Sequence, residues 1–234
     1  MNIKQSKIKV VAFDADDTLW KSEVFFFQVR DSFAEIMKSY ADETTIDEQL
    51  LNAEIENLSL FGYGAKGFTL SMIETAIRLS DSKISNKDIA RIIDLGKFLM
   101  SIPIQIYDGV EKVLHTLKGK YKLILATKGD LVDQERKLSK SELADNFHHI
   151  EIMSNKNEKN YLKLIKHLDI VPEELLMIGN SLKSDILPVI NIGCSAIHIP
   201  CEEATWEHEY MDENSVQHLN YLKVRRISDI LDYL

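Results

Sequence analysis

Two carboxylates stand one residue apart where an apolar run near the amino terminus ends. The run Val10-Val11-Ala12-Phe13 is typical of a buried parallel strand, and Asp14 and Asp16 follow it. If the chain is still extended there, both side chains leave the same face. One carboxylate is then placed to act as a nucleophile and the other to move protons. The alternative interpretation is an Asp-rich turn with Thr18 that ends a strand and caps a helix.

Buried-strand patterns recur along the chain, with helical patterns between most of them. The five strand-like segments are residues 8–13, 121–126, 149–153, 175–178 and 195–199. Alternating strands and helices predict an α/β fold, a doubly wound parallel sheet with helices on its faces. Ligands of such sheets bind beyond the carboxyl ends of the strands. The predicted fold therefore places Asp14 at the edge used for chemistry.

One long interval, residues 21–106, lacks a convincing buried strand and is predicted to be helical. Apolar side chains recur there at helical spacing. One stripe comprises Phe25, Val29, Phe33, Ile36, Met37 and Tyr40, and another Ile89, Ile92, Ile93 and Leu99. An insertion of this size can bury its own apolar faces as a helical bundle. We predict a core of residues 1–20 and 107–234, with 21–106 as a helical domain over the edge that carries Asp14.

A glycine-rich segment, residues 61–68, interrupts the helical pattern of this insertion. It holds three glycines and two flanking aromatic residues. Glycines allow positive φ angles and the close approach of other groups. The segment is either a plain turn between helices or a loop that contacts substrate. In the second case Lys66 is the candidate contact.

Polar residues follow the next three strands as well. Thr127 and Lys128 come after the second strand, Lys156 after the third, and Asn180 and Asp185 after the fourth. A hydroxyl and backbone amides at a strand-to-helix junction suit an oxyanion. Lys128 and Lys156 are candidates for binding phosphate in an otherwise acidic protein. Because four strand ends of a single sheet share one rim, these side chains are predicted to lie near the first acid pair.

The composition restricts the classes of function. The chain has 234 residues, and its net charge of −9 argues against a broad nucleic-acid-binding surface, which needs clustered Lys and Arg. Its two cysteines, Cys194 and Cys201, indicate neither a disulfide framework nor a Cys-based metal site. The amino terminus lacks the apolar stretch of a signal peptide, and no run has the length of a membrane span. We expect a cytoplasmic protein without membrane association, in which the acidic stretch 202–214 is a solvated loop or short helix.

The four strand-end elements together resemble the motifs of the haloacid dehalogenase superfamily, in its phosphatase branch. Asp14-Ala15-Asp16-Asp17-Thr18 matches the Asp-x-Asp-x-Thr element of that family. A strand-end hydroxyl, a lysine and an acidic element follow in the family's order at Thr127, Lys156 and residues 179–185. The resemblance implies a Rossmann-like core, and the insertion 21–106 is similar to the family's helical C1-type cap.

The resemblance also implies a role for each matching residue. Asp14 is then the nucleophile that is transiently phosphorylated, and Asp16 the general acid and later the general base. Thr127 holds the transferring phosphoryl oxygens, and Lys156 neutralises their charge. Magnesium is the implied cofactor. Its implied ligands are the side chains of Asp14, Asn180 and Asp185 and the backbone carbonyl of Asp16.

Two positions depart from the family pattern, and one motif residue has a neighbour of the same type. Position 180 is Asn where the family usually has Asp, which removes one negative charge from the implied metal site. Lys128 stands where a small or amide residue commonly follows the hydroxyl, and it either adds positive potential near the phosphate or points to solvent. Lys159 lies close to Lys156 and is the alternative motif lysine.

The predicted function is magnesium-dependent hydrolysis of a small phosphorylated metabolite, with sugar phosphates and nucleotides both admissible. Haloacid dehalogenation is an alternative, but Asp16 argues against it because a departing halide needs no proton. A phosphomutase differs in passing the phosphoryl group to a second hydroxyl. A binding protein that has lost turnover is the non-enzymatic alternative, and Asn180 is the residue that favours it. The sequence leaves the oligomeric state open.

Overall fold

A six-stranded parallel sheet organises the chain. The computed structural model of the protein describes residues 7–201, 205–216 and 218–234. The strands are β1 (Val10–Phe13), β2 (Lys122–Lys128), β3 (His149–Met153), β4 (Leu175–Gly179), β5 (Ser195–His198) and β6 (Leu222–Lys223). Their order is β3-β2-β1-β4-β5-β6, and every neighbouring pair is parallel. The predicted α/β class with a Rossmann-like parallel sheet is confirmed.

Helices connect the strands and form the interval between β1 and β2. Those of the described chain are α1 (Glu23–Met37), α2 (Glu43–Phe61), α3 (Ala65–Leu79), α4 (Asn86–Ser101), α5 (Val110–Leu117), α6 (Leu131–Ser141), α7 (Glu158–His167), α8 (Leu187–Asn191) and α9 (Glu213–Val216). A single π-helical turn, Leu182–Ile186, precedes α8.

Alternate residues of the central strand face two separate cores. Val11 and Phe13 pack in one cluster with the apolar face of α5, and Val10 and Ala12 pack in another with α7 and α8. All four side chains are buried. This is the pattern of a strand covered by helices on both sides, which explains why its sequence is continuously apolar.

The five predicted strands are all present: β3 has the predicted bounds, and the other four differ from the prediction at one or both ends. β2 continues two residues beyond the predicted end, through Thr127 and Lys128, where it still pairs with β3. The sequence reasoning missed β6, whose two residues pair with β5. Two residues cannot show the period-two alternation by which strands are recognised.

The chain divides into two compact units. The first takes in Met1–Glu23, Ile104–Lys128 and Gln134–Leu234, and the second Val24–Pro103 and Gly129–Asp133. Of the residues that we predicted in the core, 1–6, 202–204 and 217 lie outside the described part of the chain. The second unit also holds a short segment after β2 that the prediction put in the core.

The helical unit has a hydrophobic core of its own. From the first predicted stripe, four side chains are buried in it: Val29, Phe33, Ile36 and Met37. From the second stripe, Ile92 and Leu99 are buried there, whereas Ile93 is exposed. No helix in the described residues is long and apolar enough to cross a membrane.

Candidate active site

The carboxyl end of β1 brings Asp14 next to two other buried ionisable groups. The backbone amide of Asp14 continues the sheet by donating to the carbonyl of Ile178 on β4 at 2.9 Å. Its carboxylate accepts a hydrogen bond from Lys156, whose ammonium group also donates to Asp185 at 2.6 Å. All three side chains are buried. One cation is thus shared by two carboxylates that come from different strand ends.

Lys156 reaches this position from the loop between β3 and α7. The next residue, Asn157, is the N-cap of α7, and its side chain accepts from the amide of Asn160 at 3.0 Å. The cap fixes where the helix begins and therefore where the loop ends. The lysine side chain is only 1% exposed, whereas the alternative motif lysine, Lys159, is exposed on α7.

Burial and the neighbouring charges shift the pKa values of Asp14 and Lys156. Burial raises the pKa of Asp14 to about 7; Lys156 opposes the shift, and the charge of Asp185 adds to it. Burial alone would lower the pKa of Lys156, but the two carboxylates outweigh it and hold that pKa above its usual value. The lysine therefore stays charged. When both carboxylates are ionised, the single charge of Lys156 leaves the three groups with a net negative charge.

Asp185 is fixed by the π-helical turn that carries it. Its carboxylate accepts from the backbone amide of Ser181 at 3.0 Å. It lies so close to the end of β4 that a Cβ atom at Gly179 would fall 2.3 Å from its carboxylate carbon. No side chain fits there, so glycine is required at position 179 for the carboxylate to approach the strand end.

The turn after β1 serves both interpretations of the acidic motif. Asp17, with φ of 60°, accepts from the backbone amides of Ser22 at 2.9 Å and Glu23 at 3.0 Å, and so caps the start of α1. Thr18 does not act as that cap. Its hydroxyl lies 3.2 Å from Asp14 Oδ2 and 3.3 Å from Asn180 Oδ1, which joins the ends of β1 and β4. Asp17 thus has a structural role in this motif, whereas Asp14 belongs to the buried trio with Lys156 and Asp185.

Asp16 lies in a separate set of donors. Its carboxylate accepts from Trp20 Nε1 at 2.8 Å, Gln134 Nε2 at 3.0 Å and Lys137 Nζ at 2.9 Å. Burial raises the pKa of Asp16, but the charge of Lys137 and the hydrogen bonds outweigh burial and leave that pKa below its usual value. Asp16 is therefore ionised at neutral pH. Gln134 also donates to the Thr127 hydroxyl at 2.8 Å, which ties the end of β2 to this acid.

Lys128 has partners within its own unit. Its ammonium group donates to Glu209 at 2.5 Å and to Ser184 at 3.0 Å. The carboxylate of Glu209 accepts further hydrogen bonds from Ser181 at 2.9 Å and Ser184 at 2.6 Å. Lys128 thus joins β2 to the acidic stretch after β5, which the sequence indicated to be solvated. Residues 202–204 of that stretch lie outside the described residues.

Lys66 lies in the helical unit, at the start of α3. The preceding Gly64 is the N-cap with φ of 107°, a conformation that side chains rarely adopt. The lysine donates to Asp130 at 2.9 Å within the same unit, and this hydrogen bond is the first cause of the lowered pKa of Asp130. The side chain of Lys66 remains 46% exposed. Its ammonium group is accessible to an anion as well as to this acid.

The buried oxygens at the ends of β1 and β4 fit a magnesium ion. Asp14, Asn180 and Asp185 offer only carboxylate and amide oxygens, the donors that a hard cation prefers. The negative charge that Lys156 leaves uncompensated is the charge that a divalent ion would balance. The space in which Asp185 sits exists only because residue 179 lacks a Cβ atom. Asn180 would offer its carbonyl oxygen to such an ion, with one negative charge fewer than an aspartate.

Comparison with protein families agrees with this arrangement. A family model for haloacid dehalogenase-like hydrolases matches residues 8–193, which include both strand ends described above. The chain belongs to the haloacid dehalogenase-like hydrolase family. It is therefore a hydrolase, and the resemblance that the motifs indicated is confirmed.

Relatives of this hydrolase include proteins named as phosphatases and a protein of solved structure. It is 28% identical over 200 residues to the glyceraldehyde 3-phosphate phosphatase of Pyrococcus furiosus, covering 82% of this chain and 80% of that protein. The enzyme of the same name from Methanopyrus kandleri is 24% identical, with 82% and 84% covered. The crystal structure of a haloacid dehalogenase-like family hydrolase from Xanthomonas campestris superposes with a TM-score of 0.80 at 41% identity, covering 85% of this chain and 84% of that one.

Three side chains of this hydrolase's site were missed by the sequence reasoning: Gln134, Lys137 and Glu209. Lys137 lies on α6, whose many charges are typical of a solvated face. The signal that could have found it is the spacing of Gln134 and Lys137, three residues apart and so on one face of the helix. Nothing local distinguishes Glu209 from the other acids of its stretch, because its partners come from two distant segments of the chain.

We predict that Glu209→Gln lowers the free energy of unfolding by about 2 kcal/mol at pH 7, since it removes charge-assisted hydrogen bonds to a buried lysine. Burial opposes ionisation, but Lys128, Ser184 and Ser181 lower the pKa of Glu209 to about 2. A depressed pKa gives stability that is present above the unfolded value and is lost as pH falls. The difference between variant and wild type should therefore shrink as the pH is lowered from 5 toward 2.

Urea unfolding at several pH values measures this difference. Glu207→Gln, in the same turn, is the control, and no charge-assisted bond is removed with it. A Glu209→Gln deficit that is the same at pH 3 as at pH 7 would contradict the assignment of the stabilisation to the ionised carboxylate.

Proposed function

We propose that this hydrolase is a magnesium-dependent phosphomonoester hydrolase that acts on a small phosphorylated metabolite through a phospho-aspartate on Asp14. The observation that carries the proposal is the shared contact of Lys156 with Asp14 and Asp185 at the strand ends. A cation beside the nucleophile can neutralise a transferring phosphoryl group. The phosphatase names of its relatives, at modest identity, support the same substrate class.

In the first step an oxygen of Asp14 forms a bond to phosphorus, and the bond from phosphorus to the substrate's alcohol oxygen breaks. The alcohol oxygen leaves with a proton from Asp16. In the second step water attacks the phosphorus, the bond to Asp14 breaks, and Asp16 takes the proton of that water. Phosphate is released, and Asp14 and Asp16 return to their starting states. Thr127 and Lys156 hold the oxygens of the phosphoryl group throughout.

Magnesium would be held by Asp14, Asn180, Asp185 and the backbone carbonyl of Asp16. When bound, it reduces the repulsion between an anionic substrate and an anionic nucleophile. Lys156 performs part of the same task with its own charge, which is why the single charge missing at Asn180 is compatible with turnover.

The test is a phosphate-release assay on purified protein over sugar phosphates, nucleotides and cofactor phosphates, with Mg²⁺ and with a chelator. Glyceraldehyde 3-phosphate belongs in the panel because two of the compared relatives carry its name. We expect release that requires Mg²⁺ from at least one small phosphomonoester, and no halide release from 2-chloropropionate. Absence of release from the whole panel with Mg²⁺ present would overturn the proposal.

The ionised state of Asp16 gives a further prediction. The first step needs Asp16 protonated, so kcat/KM should fall as the pH rises above the lowered pKa of Asp16. Lys137→Met removes the charge and hydrogen bonds that lower the pKa of Asp16. A higher pKa lets Asp16 keep its proton longer as pH rises. We therefore expect the fall in kcat/KM with rising pH to occur at higher pH in this variant.

The control is Lys140→Met on the same helix, where the lysine is exposed. It should leave the pH profile where it is. If Lys137→Met lowers activity equally at every pH, the lysine supports only the fold of α6, and its effect on the Asp16 proton is disproved.

A further inference from the structure

Three side chains with metal-ligating atoms meet on the edge strand, away from the proposed catalytic residues. His149 and Glu151 lie two residues apart on β3, and His167 is the last residue of α7. β3 is at the end of the strand order and pairs only with β2. His149 is the first residue of that strand, whereas Lys156 follows its last residue. The three side chains therefore lie toward the opposite end of β3 from the catalytic edge.

The ligand atoms converge on one point. His149 Nε2 lies 3.0 Å and His167 Nδ1 lies 3.9 Å from the same oxygen of Glu151, Oε2. All three atoms lie within 4.8 Å of one another. The two imidazole rings meet edge to face, with centroids 4.9 Å apart. Ligands of a tetrahedral zinc ion, at bond lengths near 2.1 Å, are about 3.4 Å apart. Small rotations would bring these atoms to that spacing, since the side chains of His149 and Glu151 are partly exposed and that of His167 is exposed.

We propose that His149, Glu151 and His167 form a binding site for a divalent transition-metal ion such as Zn²⁺. Two imidazole nitrogens and one carboxylate oxygen are a ligand set that suits zinc and its neighbours, whereas Mg²⁺ and Ca²⁺ take oxygen ligands. Three protein ligands leave the fourth tetrahedral position to water. This site is independent of the magnesium ligands at the strand ends, which are all oxygens.

The position of the site gives it a mechanical consequence. The metal would connect the first residue of β3 to the last residue of α7, and thereby close the segment 149–167 on itself. That segment contains the loop that carries Lys156. A cross-link that forms only in the folded chain stabilises it by mass action. Zinc at about a hundred times its Kd should therefore raise the unfolding temperature by about 5 °C.

The competing interpretation is a histidine and glutamate pair that needs no ion, since His149 and Glu151 are already at hydrogen-bond distance. Titration of the full-length protein with Zn²⁺ in excess Mg²⁺, followed by calorimetry, separates the two. His167→Gln is the principal variant, because the side chain of His167 is 65% exposed and its loss should leave the fold intact. Glu151→Gln is the second. His148→Gln, at an exposed position next in the chain, is the matched control.

We expect the wild type and His148→Gln to bind one equivalent of zinc with similar affinity. His167→Gln and Glu151→Gln should bind zinc at least about tenfold more weakly. These two variants should also lose the zinc-induced rise in unfolding temperature. Co²⁺ in place of Zn²⁺ should give visible absorption typical of nitrogen and oxygen ligands in the wild type and in His148→Gln, but not in His167→Gln or Glu151→Gln. Equal zinc affinity in the wild type and His167→Gln, or no zinc bound by the wild type, would overturn the proposal. A zinc ion bound at the catalytic carboxylates instead would persist in both variants and count against it.

Discussion

Asp14→Asn should abolish magnesium-dependent phosphate release, by about 10⁴-fold or more, while leaving the protein folded. The amide keeps the shape of the side chain but has no anionic oxygen to attack phosphorus. Loss of a covalent nucleophile removes the pathway itself, so the remaining rate reflects only binding and electrostatic stabilisation. Initial rates on the best substrate of the phosphatase panel, at saturating Mg²⁺, measure the effect.

This variant should remain folded because the ionised, buried carboxylate of Asp14 lowers the stability of the wild-type protein. Burial raises the pKa of Asp14 to about 7, above the value of an unfolded aspartate. A raised pKa contributes stability that is present at acid pH and is lost as pH rises through about 7. The neutral amide carries no such loss, and Lys156 keeps Asp185 as its partner. Urea unfolding at pH 8 should therefore show Asp14→Asn at least as stable as the wild type.

Asp17→Asn is the matched control, because it removes a carboxylate charge from the same turn. Its amide oxygen still accepts from the amides at the start of α1, so the cap is kept. We expect this variant to retain most of the activity. Phosphate release by Asp14→Asn at the wild-type rate would disprove Asp14 as the nucleophile.

The elements that the sequence predicts correctly are those whose burial produces an apolar pattern in neighbouring residues of the sequence. β1 and β4 consist of continuous apolar runs, since helices cover both faces of the sheet, and that signal is visible without a structure. The stripe from Val29 to Met37 shows the helical period of a face packed in its own core. β6 carries no comparable signal, because its two residues pair only at the edge.

The candidate site divides in the same way. Asp14, Lys156 and Asp185 follow strands that the apolar pattern identifies, so their meeting follows from parallel strands ending at one edge. Two partners of Asp16, Gln134 and Lys137, come instead from α6, and their contact depends on how that helix is rotated. The pairing of Lys128 with Glu209 depends on the path of an irregular segment after β5. Local spacing shows that Gln134 and Lys137 share a helix face but not which strand end that face meets, and it shows nothing of the pairing of Lys128 with Glu209.

Lys156→Met should lower the free energy of unfolding by about 3–5 kcal/mol near pH 8, the cost of leaving buried charges uncompensated. Lys156 and Asp185 are each only 1% exposed, and Asp14 is 9% exposed. Without the ammonium group, both carboxylates must either stay charged with no cation beside them or take up protons. The loss should therefore be smaller at pH 5, where protonation is easier. Phosphate release should be lost at every pH.

A double variant distinguishes the loss of charge balance from the loss of side-chain packing. Lys156→Met with Asp185→Asn removes one of the two carboxylates, so it should recover part of the lost stability but none of the activity. Lys159→Met, three residues along and exposed, should change stability by less than about 0.5 kcal/mol. Urea unfolding of the wild type and these three variants at pH 5 and pH 8 measures the differences in stability. If Lys156→Met proved as stable as Lys159→Met, the shared cation would not be what holds these two carboxylates together in the folded chain.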